Sequence, residues 1–171
     1  MTGQPAAKPR GRTSHTAAKV ARSVVFAAGD PVYAKLLPDG AAESLEEFAV
    51  AAGVLKPWMC RLFESELYRR KVTGMMTSLW PGEMMRLTLR KRFVDDEVRT
   101  AIAEGATQLL IVGAGFDTLG MRIAADFSTA RVVEVDTPVT SAKRIAVITV
   151  LNIHVLNTGS DRRMMHEYQG R

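Results

Sequence analysis

Cysteine is almost missing from this chain: Cys60 stands alone among 171 residues. No internal disulfide can form, Cys60 has no neighbours at metal-ligand spacing, and a reducing compartment is the simplest home. No metal site is expected. Long apolar runs are lacking too. The longest, around Leu109 to Val112 and Ile145 to Leu151, fall far short of the roughly 20 residues a bilayer-spanning helix needs, and no signal-type segment follows the N-terminal basic residues. A cytoplasmic protein without a membrane partner is therefore expected. Histidine is sparse and dispersed, at His15, His154 and His166, so no Ser-His-Asp or His-carboxylate constellation emerges. No residue receives a catalytic role.

What is present suits an ordinary globular domain, with 47% hydrophobic and 24% charged residues and enough apolar mass to bury a core. The formal net charge of +5 raises nucleic acid as a partner, but the basic residues are spread rather than gathered into a patch. No nucleic-acid role is expected. Lys8, Arg10 and Arg12 lie in a Pro/Gly/Thr-rich stretch with no acid before Asp30. Residues 1–13 read as a solvated, disordered tail, with an organelle transit peptide as the alternative.

Ser14 or Thr16 can cap a helix reaching about Ala28, where Gly29-Asp30-Pro31 stops it. Ala41 to Ala52 and Pro57 to about Lys71 read as further helices, Gly74 to Trp80 as irregular, and Pro81 as the opening of a long helix to Ala103 with Gly105 beyond its end. Residues 14–105 are thus expected to be a helical region. Its methionine doublets, Met75-Met76 and Met84-Met85, and its tryptophans, Trp58 and Trp80, read as core, with a flexible substrate lid as the methionines' alternative.

After Gly105 the pattern changes. Gln108 to Val112, Arg131 to Val135 and, more weakly, Ile153 to Leu156 read as strands, separated by helices near Leu119 to Ala125 and from Pro138 to Val150. Apolar strands alternating with helices predict an α/β fold: a Rossmann-like, doubly wound parallel sheet covered on both faces, preceded by a helical N-terminal cap. Residues 161–171 read as a polar helix or loose tail.

In such a sheet a ligand lies at the carboxyl ends of the strands, and glycines there let it approach main-chain amides. Gly113 and Gly115 stand at the end of the first strand, and Asp136 closes the second, about 20 residues on, where an acid accepts hydrogen bonds from ribose hydroxyls. The same residues also fit a plain strand-to-helix turn followed by a helix N-terminal acid. A dinucleotide fingerprint would want glycine at 118, where Thr118 stands, which makes NAD the second choice. S-adenosyl-L-methionine, with no phosphate, is the first.

The segments "LRKRFVDD" (89–96), "LLIVGAGFDTLGMRI" (109–123), "VVEVDTPVTSAKR" (132–144) and "SHTAAKVARSVVFAAGDPVYAKLL" (14–37) resemble the leucine carboxyl methyltransferase-like branch of class I S-adenosylmethionine-dependent O-methyltransferases. The resemblance implies a small-molecule methyl acceptor with a carboxylate or a hydroxyl as nucleophile. It implies that Gly113, Ala114 and Gly115 line the methionine portion of the cofactor and that Asp136 holds its ribose. Lys19 and Arg90, with Arg92 as a near-equal alternative, would meet the cofactor carboxylate. Asp117 would orient the turn or the ammonium group; Glu134, inside the second strand, ranks below Asp136.

The resemblance also implies more chain than is present. Residues 106–171 would be the first half of the cofactor-binding domain, C-terminally truncated, with the first strand left as an unpaired edge through which copies could associate. Gly159-Ser160 stands where the family has Asp-Phe, with Asp161 nearby, and Leu119 where it often has arginine. A noncatalytic nucleotide-binding or interaction protein is the alternative to an enzyme.

Overall fold

The computed structural model describes residues 14–151 and the backbone of residues 155–156 and 165–168. The expected tail at 1–13, the Gly159-Ser160 and Asp161 positions, and His154 lie outside the described residues.

Helix α1 (His15–Ala28) starts where Ser14 accepts a hydrogen bond from the Ala17 amide at 3.2 Å. The Asp-Pro turn then begins a one-turn helix, α2 (Pro31–Ala34), because the Asp30 carboxylate accepts from the Val32 and Tyr33 amides and Pro31 has no amide to satisfy. Helices α3 (Ala41–Ala51), α4 (Pro57–Glu64), α5 (Glu66–Leu79) and α6 (Glu83–Ala103) complete the helical region. Two sequence expectations change here. The helix starting at Pro57 breaks at Ser65, and the stretch from Gly74 to Trp80, expected to be irregular, continues α5 as far as Leu79. A single glycine in a helix costs only about 1 kcal/mol, and helical hydrogen bonding carries on past it, with Ser78 Oγ donating to the Gly74 carbonyl at 3.0 Å and the Trp80 amide to the Met76 carbonyl at 2.8 Å.

Strand β1 (Gln108–Val112), helix α7 (Leu119–Asp126), strand β2 (Arg131–Val135) and helix α8 (Pro138–Val150) follow as a βαβα unit, with β1 and β2 parallel and Val112 opposite Val135. Strands β3 (Val155–Leu156) and β4 (Met165–Tyr168) complete a sheet of order β1-β2-β4-β3. The fold is α/β, an incomplete Rossmann-like unit with a helical cap, as the sequence suggested. The expected helix or loose tail after Asp161 is corrected by β4, which inserts antiparallel between β2 and β3. The unpaired backbone groups along β2 need partners, and that need overrides the weak propensity of a short polar segment. The sheet is therefore mixed rather than wholly parallel.

Cap and sheet share one core. Val24, Leu45, Phe48, Phe116, Ile123, Val132 and Ile148 are buried together, drawn from α1, α3, α7, β2, α8 and the β1–α7 turn. Each such side chain contributes about 1.5–3 kcal/mol. Beneath this core, Asp95 of α6 is buried between Arg99 and Arg122, and Arg99 reaches on to Asp126 at 2.7 Å, fastening α6 to α7.

Coverage of both sheet faces is not found among the described residues. Leu109 and Ile111 turn toward the core, whereas Leu110 and Val112 on the opposite face are 61% and 77% exposed. β1 also forms one end of the sheet. Nor are the tryptophans core: Trp58 is 63% and Trp80 58% exposed. Met84 packs partly against the core, while Met75 and Met85 are exposed.

Candidate functional site

The end of β1 opens into a cleft of about 890 Å³ between the β1–α7 turn and helices α1, α5 and α6. That is within the ~300–1,000 Å³ typical of small-molecule sites. Lys19, Arg90, Gly113, Ala114, Gly115, Asp117 and Asp136 all line it. The sequence placed these residues on four separate elements, and the fold brings them to one cavity.

The glycine turn is built tightly. Gly113 and Gly115 have φ of +73° and +58°, backbone regions costly for any residue with a Cβ. A Cβ on Gly113 would project into open space, whereas one on Gly115 would stand 3.0 Å from the Ala17 Cβ of α1. The cap therefore rests on the turn itself. The glycine amides are engaged by the second strand: Gly113 donates to the Val135 carbonyl at 2.7 Å, and Gly115 donates to Asp136 Oδ2 at 2.6 Å. Two of the main-chain donors expected to await a ligand are thus held by the last residue of β2 and by the acid just past it. What the glycines supply is the shape of the turn and clearance beneath α1.

Asp136 also accepts from the Thr137 amide at 2.6 Å through Oδ1. A carboxylate has about four acceptor sites, so each oxygen keeps a lone pair for a ligand. Asp117 accepts from Lys91 Nζ at 2.7 Å and from the Leu119 amide at 3.2 Å, capping the start of α7. Burial acts to raise its pKa, but the Lys91 charge and these hydrogen bonds outweigh it and hold the carboxyl below its ordinary range.

Cations surround the cleft. Arg86 is tied to Glu83, Lys91 to Asp117 and Arg122 to Asp95, while Lys19 and Arg90 form no close ion pair among the described residues, Lys19 feeling the Glu83 charge only at longer range. Arg92, the near-equal alternative, turns away to Asp96 at 3.0 Å and the Leu37 carbonyl at 3.4 Å. Geometry separates the two arginines where spacing could not. Toward the α5–α6 corner the lining turns apolar, with Met76, Trp80, Met84, Leu87 and Val94.

Three residues that sequence reasoning missed shape this site. Gly120, two positions past the missing fingerprint glycine, lets α7 approach β2: a Cβ there would meet Glu134 Oε1 at 2.5 Å. Arg144 of α8 is fully buried, pairs with Glu134, and donates to the Gly115 and Asp117 carbonyls at 3.1 and 2.7 Å. Lys91 stands between Arg90 and Arg92 in sequence but reaches Asp117 across the cleft. Only the glycine left a signal in the sequence, and it was off register.

The sequence profile of the family described as leucine carboxyl methyltransferase matches residues 13–163. A protein of Streptomyces coelicolor, provisionally named an S-adenosyl-L-methionine-dependent methyltransferase, is 33% identical over 96 residues, which are 56% of this chain and 31% of that protein. The match thus spans about a third of the relative's length. No solved structure matches the chain.

Proposed function

We propose that this chain, which belongs to the leucine carboxyl methyltransferase family, binds S-adenosyl-L-methionine in the cleft beside the glycine turn and directs methyl transfer to an oxygen of a small molecule. The observation that carries the reading is the gathering of Lys19, Arg90, Asp136 and the Gly113–Gly115 turn on one cavity. The residues fit the cofactor. Asp136 retains lone pairs for two ribose hydroxyls, Gly113 leaves open space above the turn, and Lys19 with Arg90 offers a cationic pair for a carboxylate. Asp117, already bound to Lys91, sets the start of α7 rather than meeting the ammonium group directly.

When bound, the cofactor supplies an activated methyl group on a sulfonium. The chain's own task is to hold the acceptor oxygen in line and exclude water. The apolar lining from Met76, Trp80, Met84, Leu87 and Val94 suits an acceptor with an apolar body. A carboxylate acceptor needs no general base, whereas a hydroxyl does, and among the described residues no histidine lines the cleft. The division into a cap, residues 14–105, and a cofactor-binding unit from residue 106 is part of this reading.

Calorimetric titration with S-adenosylhomocysteine and with NAD tests the ligand: binding of the first and not the second is expected, and the reverse overturns the assignment. Label transfer from S-adenosyl-L-methionine to a panel of apolar carboxylates and phenols tests the activity. The exposed Leu110 and Val112 on the end strand favour one further reading, association of two copies through β1. β1 carries no charged residue or proline that would block pairing. Sedimentation should show a dimer that Leu110→Lys dissociates; a wild-type monomer at all concentrations rejects it. Binding without transfer would identify a noncatalytic member.

A further inference from the structure

The buried Arg144 makes contacts that a simple ion pair with Glu134 does not require. Its Nη1 donates to the Gly115 carbonyl at 3.1 Å and to the Asp117 carbonyl at 2.7 Å, Nη2 binds Glu134, and the guanidinium lies 5.1 Å from the centre of the Phe48 ring of α3. On the other side of Gly115, its own amide donates to Asp136 Oδ2 at 2.6 Å. The two peptide planes flanking the Gly115 Cα are thus each held by a side chain. Because peptide planes are rigid, fixing both fixes the only two soft torsions between them. Glycine is the residue with most torsional freedom to lose.

We infer that Arg144 is a positioning residue for the cofactor turn: with Asp136 it sets the torsions of Gly115, and through Asp117 it sets where α7 begins. Glu134 balances its charge inside the core, and Phe48 extends the clamp to the cap. Arg144 is fully buried and does not line the cleft, so it acts through main-chain carbonyls. The role rests on the cofactor reading only for its effect on ligand affinity, since the order of the turn exists without a ligand.

A structural ion pair and a turn clamp predict different outcomes when the pair is made neutral. Replacing a buried pair by uncharged groups of similar size is often tolerated in stability, so the double variant Glu134→Gln/Arg144→Met should still unfold cooperatively. The clamp predicts that amide hydrogen exchange at Gly115 to Asp117 nevertheless quickens about tenfold in the free chain, and that affinity for S-adenosylhomocysteine falls about tenfold or more. Arg144→Lys keeps the charge against Glu134 but has one nitrogen in place of a fork. It should be intermediate in both readouts.

Wild-type exchange and wild-type affinity in a folded double variant would overturn the inference. If the double variant does not fold, Arg144→Lys decides alone: unchanged exchange at Gly115 to Asp117 overturns, and faster exchange confined to that turn supports. Should the wild-type chain bind no S-adenosylhomocysteine, the cofactor reading fails while the exchange comparison still judges the clamp.

Discussion

Alanine at Gly115 and alanine at Gly113 separate two costs that the turn combines. Both positions have positive φ, +73° at Gly113 and +58° at Gly115, and an alanine there incurs about 1–2 kcal/mol of backbone strain, of which about 0.4–1 kcal/mol is returned by the stiffer unfolded chain. Gly113→Ala adds nothing further, because its Cβ meets open space. It should destabilise by about 1 kcal/mol. At Gly115 the new Cβ stands 3.0 Å from the Ala17 Cβ, whereas carbon atoms in contact prefer about 3.5–4.0 Å. Helix α1 must therefore move outward by about half an ångström or more, adding about 1–3 kcal/mol of overpacking and displacing Lys19, two residues along. Urea unfolding of Gly115→Ala should thus show a loss of about 2–4 kcal/mol. The partner substitution Ala17→Gly costs about 1 kcal/mol of helix propensity by itself but removes the opposing methyl. A double-mutant cycle should return a favourable coupling of about 1–3 kcal/mol. Equal losses at 113 and 115 with zero coupling would mean that α1 does not rest on the turn, and the cleft as described would be wrong.

Asp136→Asn places an amide nitrogen against either the Gly115 or the Thr137 amide and removes the charge from both hydrogen bonds. It should weaken S-adenosylhomocysteine binding by about ten- to a hundredfold in calorimetry, and wild-type affinity would remove the acid from the site. Arg90→Met should weaken the same ligand by about tenfold or more while Arg92→Met leaves it unchanged, since of these two Arg90 lines the cleft and Arg92 does not; the opposite order would reverse the choice. Asp117 gives a pH signature. Its carboxyl is held below its ordinary value in the folded chain, so its stabilisation is complete above about pH 4, the unfolded value, and is lost as pH falls through the lower folded one. Acid unfolding of Lys91→Met should lack that part of the slope, and an unchanged acid limb would refute the assignment.

The sequence determined whatever depends on neighbours along the chain. Ser14 as a cap, Asp30-Pro31 as a turn, Gly105 past the end of α6 with φ +108°, and the β1-turn-α7-β2 unit with Asp136 at its close are all local patterns, written in spacing and in residues with few backbone options. Of the cleft residues, the glycine turn after an apolar strand and the acid at the next strand end are local patterns, though ones that also fit a plain strand-to-helix turn, whereas Lys19 and Arg90 are legible only through the family resemblance.

Tertiary structure decided everything that depends on which groups are left to find partners. β2 had an open edge, so a polar segment became β4 and made the sheet mixed. Arg90 and Arg92 differ by two positions in sequence but point to different surroundings. Gly120 and Arg144 matter because α7 and α8 pack over Glu134, and the glycine amides serve Val135 and Asp136 because β2 lies alongside. A hydrogen bond or ion pair formed across the fold has no fixed spacing along the chain, so only the folded geometry records it.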